Sequence, residues 1–156
     1  MLTQLERLTT EVDGRYATDT ELQFVMDYIH SYNLRMSTYL KIKAAETDMV
    51  QKVYNKLRGS SPELLFNGTE DISGKWKRDT IRVLRYSVVA MLINDPERLQ
   101  ERFLFWFQTI MRAFGAQRSC KVTYEMMQEV VQQYLTPAEA SLFLPILELN
   151  RKLLGG

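Results

Sequence analysis

Residues that start and stop helices recur along this chain at intervals that leave room for helices and little else. Thr18 with Glu21 and Thr136 with Glu139 both have the form of a capping box, in which a hydroxyl and a carboxylate each satisfy an otherwise orphaned amide. Asp95-Pro96 joins an N-cap side chain to a ring that pre-sets the first helical φ, so a tight corner is expected there. Between these marks the apolar residues keep helical spacing. Leu22, Val25, Met26 and Ile29 share one face of a long helix opening at Thr18. A second periodic segment runs from Leu34 through Leu40, Ala44 and Val50 to Leu57, with Gly59 placed to end it. Ser61-Pro62 opens a short helical turn, Asn67 to Gly74 reads as a loop, and Ile81, Leu84, Val88 and Met91 define a helix ending near Asn94. Further helices are predicted from Pro96 to Phe114 with Gly115 as the stop, from about Val122 to Leu135, and from Pro137 onward, kinking near Pro145 where a donor is missing. No strand-like alternation, repeat or low-complexity linker interrupts the series. The fold class is all-α; periodicity alone is satisfied equally by a globin-like packing and by an irregular helical bundle.

At 156 residues the chain is long enough for one domain that folds without metal or disulfide. Lys and Arg number 20 against 19 Asp and Glu, so no overall field draws it to nucleic acid or an anionic membrane. Partners must be recognised by local surface. The single cysteine, Cys120, is expected in the loop after Gly115 and cannot form an internal bridge, which fits a reducing compartment. The first residues lack the apolar core of a signal peptide, and the apolar run Phe103 to Phe107 is far short of the ~18 residues a membrane span needs. A cytoplasmic protein that does not insert into membranes is expected.

Catalytic chemistry finds no support. There is no His/Cys metal cluster, no phosphate-gripping glycine motif and no Ser/His or Cys/His pair. His30, the only histidine, lies too early to hold a haem iron in the usual globin manner. What stands out instead is Phe103-Leu104-Phe105-Trp106-Phe107, too apolar all round for a helix with one wet face. Phe103, Phe107, Ile110 and Phe114 can feed a core; Phe105 and Trp106 then turn elsewhere, where large aromatics make effective interface anchors.

An ordered set of short motifs carries a resemblance. Glu11-Val12-Asp13-Gly14-Arg15-Tyr16, Leu34-Arg35, Ala44-Ala45, Arg78-Asp79, Arg85-Tyr86, Ala90-Met91-Leu92, Asp95-Pro96, Leu99-Gln100-Glu101-Arg102-Phe103-Leu104, Gly115 and Met127-Gln128-Glu129-Val130 follow one another as in phycobiliproteins. The resemblance covers about residues 9 to 150. It implies a globin-like phycobiliprotein fold: a single domain over 1–156, with an N-terminal helical extension over 1–17 and a globin-like body over 18–154.

The same resemblance assigns roles. Phycobiliproteins attach an open-chain tetrapyrrole to a cysteine two residues before the arginine-aspartate pair; here Trp76 stands there, so no covalent bilin can form at that position. Asp79 matches the carboxylate that accepts from pyrrole N–H groups, and Arg78 the arginine that pairs with a propionate. These are vestigial bilin contacts, and a non-covalent bilin or other tetrapyrrole is the cofactor they would take. The family's arginine pair shortly before the cysteine is replaced by Asp71-Ile72-Ser73-Gly74, which weakens that anion grip. On the residues alone, Asp79 is spaced for ordinary intrahelical ion pairs with Lys75 and Arg82, and Trp76 for packing. The resemblance further implies that Glu11, in the acidic-x-x-Gly-basic-Tyr motif with Tyr16, pairs with Arg85 of another subunit.

The expected function is thus a non-catalytic accessory or interaction subunit without covalent bilin, associated with light-harvesting or photosynthetic complexes. Its partner is a second copy or a phycobiliprotein-like subunit, in a homo- or hetero-oligomer peripheral at the thylakoid membrane. Two alternatives stand beside it: a pigment-handling protein that binds a tetrapyrrole reversibly, and a globin-like sensor or regulatory domain.

Overall fold

The computed structural model describes all of residues 1–156. Its helices are α1 (Leu2–Glu11), α2 (Asp19–Ser60), α3 (Ser73–Leu92), α4 (Pro96–Leu99), α5 (Phe105–Ala113), α6 (Gln117–Val131) and α7 (Pro137–Leu154). Strands β1 (Phe66–Asn67) and β2 (Glu70–Asp71) form a minimal antiparallel hairpin. The chain has the all-α, globin-like fold that the motifs implied.

Both capping boxes form. Thr18 accepts from the Glu21 amide at 3.2 Å and Glu21 from the Thr18 amide at 2.8 Å; Thr136 and Glu139 repeat the exchange at the start of α7. The segments beginning at Thr18 and Leu34 are one helix of 42 residues, about 63 Å long at 1.5 Å per residue. Gly59 does not end it. The helix runs on to Ser60 and stops before Pro62, whose ring disfavours helical backbone at Ser61.

Three other expectations are corrected. The loop from Asn67 to Gly74 contains the hairpin, turning at Gly68 with φ +60°, and Gly74 already lies in α3, which Asp71 opens by accepting from the Ser73 amide at 2.8 Å. The segment after Pro96 is not one regular helix. A π-turn at Gln100–Leu104 divides α4 from α5, inserting a residue into the 3.6-residue rhythm. Finally, α6 begins at Gln117 and ends at Val131, so Cys120 sits within a helix and is buried rather than in a loop.

One core of 28 buried residues joins α2 to α7, with Phe143, Leu147, Leu104 and Met127 at its centre. Here α6 packs most extensively on α7, and α2 lies across α3 and α6. Arg35 crosses from α2 to α3 to donate to the Met91 carbonyl at 2.6 Å, and Tyr28 reaches the Leu92 carbonyl at 3.1 Å. By contrast α1 contributes no fully buried residue. It is held at the corner between α3 and α4, where Asp95, 2% exposed, accepts from the Thr3 amide at 2.8 Å, the Thr3 hydroxyl, and the Arg98 amide at 3.1 Å. One carboxylate therefore caps two helices.

Candidate functional site

The first turns of α3 place Trp76 inward. Its indole is 7% exposed, donates from Nε1 to the Thr123 hydroxyl of α6 at 2.9 Å, and stands 6.0 Å from the Tyr54 ring of α2. Trp76 is thus a structural tie between three helices.

Beside it a cleft of about 390 Å³ opens between the hairpin, α3, the end of α5 and the start of α6. Its walls include Trp76, Phe107, Met111 and Phe114, and its polar groups include Asp79, Cys120 and Tyr124. The intrahelical pairs expected for Asp79 do not form. Arg82 lies 5.6 Å from the Trp106 ring centre and 5.9 Å from that of Phe103, while the Lys75 ammonium sits 3.8 Å from the centre of the Phe114 ring. Asp79 is left half-buried without a hydrogen-bonding partner, and burial lifts its pKa above the ordinary value against the pull of Lys75, Arg78 and Arg82. Arg78 is exposed and lies outside the cleft, its guanidinium over Gly74. The two residues matched to the pigment-binding pair are therefore separated: the carboxylate faces the cleft and the cation does not. Cys120 and Tyr124 escaped sequence reasoning as site residues, although their spacing with Met127 marks the inner stripe of α6. Burial first, and then Asp79, push the Cys120 thiol up to about 12, so it is protonated.

The residues marked for an interface lie on the outside. Tyr16 is 98% exposed at the turn between α1 and α2, and Glu11 ends α1 beside the first turn of α2. Arg85 already has an internal partner, donating from Nε and Nη2 to Glu46 at 2.8 and 2.7 Å. Phe105 and Trp106 are half-exposed, as their position in the aromatic run predicts. Phe114 departs from expectation: it is 65% exposed at the rim of the cleft instead of feeding the core. Two surface features were not foreseen. Leu22, Met26 and Ile29, on one face of α2, are all exposed, and Tyr86 stacks on Phe103 at 4.2 Å beside Trp106.

Comparison with known proteins gives two matches. The family model for phycobilisome proteins matches residues 8–153. Allophycocyanin subunit beta-18 of Picosynechococcus sp. is 27% identical in an alignment 109 residues long that covers 67% of this chain and 64% of that protein's length.

Proposed function

This chain belongs to the phycobilisome protein family, and from that premise we propose that it is a non-catalytic subunit without covalent bilin that works through contact with another phycobiliprotein-like chain. One observation carries the reading. Trp76, which the motifs match to the attachment position, is built into the core through Thr123, while the lone thiol, Cys120, is buried and protonated. Neither residue offers a nucleophile for a thioether.

The contact surface is supported by the apolar residues left uncovered. Leu22, Met26 and Ile29 on α2, with Phe105 and Trp106 on α5, are large side chains that a lone chain leaves in water. The partner is a second copy or an allophycocyanin-type subunit, and Glu11 and Tyr16 meet it at the end of α1. For Glu11 to pair with Arg85 across that interface, it must compete with Glu46, which already holds the guanidinium in two hydrogen bonds. No helix is long and apolar enough to cross a membrane, so association with a thylakoid surface runs through partners.

Reversible pigment binding has one feature in its favour: Asp79, unpaired, at a cleft of about 390 Å³. The position of Arg78 outside that cleft weighs against it, because a tetrapyrrole's propionates would find no free arginine there. Sedimentation velocity of the protein, alone and mixed with an allophycocyanin-type subunit, tests the main reading. A complex that Trp106→Ala weakens at least tenfold is expected; monomer alone at high concentration in both samples would refute it.

A further inference from the structure

The turn of the hairpin leaves two mutually reactive groups side by side. Asn67 ends β1, and Gly68 opens the two-residue turn that returns the chain to Glu70, the cross-strand partner of Asn67. The Asn67 side chain stands in water, and the Gly68 amide donates to no backbone carbonyl. Gly68 has φ +60°, and nothing lies within 4 Å of where a Cβ would be, so neither a side chain nor a neighbour shields its nitrogen. The other four asparagines are placed differently. Asn33, Asn55 and Asn150 lie within α2 and α7, where the amide that follows each is tied to a carbonyl four residues back. Asn94 is followed by the Asp95 amide, which donates to the Ala90 carbonyl at 2.9 Å. Among the asparagines, only Asn67 joins an exposed carboxamide to a free following amide. The hairpin that frames the pair has two residue pairs, Phe66 with Asp71 and Asn67 with Glu70, and a ladder this short opens readily.

We propose that Asn67 is a self-modification site, at which the hairpin converts its own asparagine to aspartate and isoaspartate through a cyclic imide. Solvent base takes the Gly68 amide proton, the Gly68 nitrogen bonds to Asn67 Cγ, and the Cγ–Nδ2 bond breaks as ammonia leaves with a proton from water. Water then adds to one of the two imide carbonyls. Opening at the side-chain carbonyl gives aspartate; opening at the backbone carbonyl gives isoaspartate, whose main chain runs through the former side chain. The net change is one water consumed and one ammonia released. Either product sets a carboxylate opposite Glu70, a like-charge cross-strand pair that weakens the ladder. Isoaspartate also adds an atom to the backbone, which breaks the match between a two-residue turn and its strands. The hairpin therefore loosens as the chain ages, and the isoaspartyl carboxyl is the substrate class of a carboxyl-methylating repair enzyme. This site is independent of the subunit interface and stands or falls apart from it.

The intact chain, held at 37 °C and pH 8.5 for set times, is followed by intact-mass spectrometry, by peptide mapping, and by methyl transfer from labelled S-adenosylmethionine with an isoaspartyl methyltransferase. A gain of one dalton should map to position 67 at least tenfold faster than to any other asparagine, quicken as the pH is raised from 7 to 9, and bring methyl label with it. Asn67→Gln would have to close a six-membered ring, and Gly68→Ala crowds the attacking nitrogen with a methyl group. Each should slow the gain at least tenfold, with circular dichroism confirming that the variant is folded. Amide hydrogen exchange across Phe66–Asp71 should quicken in the aged chain but not in Asn67→Gln aged alongside it. No gain at position 67, an equal gain at the other asparagines, or a gain without methyl label would each overturn the proposal. So would exchange across the hairpin that is the same in aged and fresh chain.

Discussion

At the scale of single residues, Trp76 decides most. Its indole N–H is buried, and Thr123 is its only acceptor. Thr123→Val keeps the shape and removes the oxygen, leaving an unpaired buried donor that costs about 1–3 kcal/mol, measurable as a lowered urea midpoint. The Cys120 thiol, held up to about 12 chiefly by burial and then by Asp79, should be alkylated by iodoacetamide at pH 8 far more slowly in native than in urea-unfolded protein. Rapid labelling of native protein would show that the thiol is accessible and ionised. Trp76 was legible in the sequence as a packing residue, and its ring does turn inward. The bond its indole N–H makes was not, because the acceptor, Thr123, comes from a helix 47 residues away. The same limit hid Tyr124, and it misassigned Asp79 to local ion pairs when the neighbouring cations had aromatic rings to rest on.

Alone among the helices α1 buries no residue fully, and beside the surface pairs Arg7–Glu97 and Glu6–Arg98 its main buried anchor is Asp95. Burial works to raise the pKa of that carboxyl, but donation from the Thr3 and Arg98 amides, the Thr3 hydroxyl and the Met1 ammonium hold it below the ordinary value. Asp95→Ala removes the cap of α4 and the anchor of α1 together, costing about 1–2 kcal/mol. Amide hydrogen exchange should then quicken across Leu2–Glu11 while α6 and α7 stay protected. Uniform quickening would contradict the independence of α1. At the head of α7, Glu139 is held down to about 2 by the Lys41 ammonium and the Thr136 amide, against the cost of burial. A carboxyl with a lowered folded-state pKa stabilises above its unfolded pKa of about 4.3 and loses that contribution as pH falls toward 2. Glu139→Gln can keep the capping geometry but not the charge, so its stability should fall less steeply than wild type's between pH 4.5 and pH 2. Capping boxes, the corner and the stop at Gly115 were readable because each is a short local pattern, whereas Gly59 was overridden. The union of two segments into α2 and the π-turn were not, since periodicity does not record whether helices join. A single inserted residue leaves the apolar pattern on either side intact.

For the whole molecule, a phycobilisome-family chain folds around one core that includes Trp76. A side of it is left unsealed, where Leu22, Met26 and Ile29 face water. Ile29→Asp should leave the monomer's stability within about 0.5 kcal/mol, as surface changes do, while lowering the affinity for a second subunit at least tenfold by sedimentation. Loss of stability without loss of association would assign α2's outer face to the fold instead. The central claim, that this family member carries no bonded pigment, is tested most directly by intact-mass spectrometry after co-production with a bilin and an attaching lyase. A phycobiliprotein subunit that retains its cysteine serves as the positive control. The account predicts the bare polypeptide mass for this chain and an adduct on the control; a bilin-sized increment on this chain, at Cys120 or elsewhere, would contradict it.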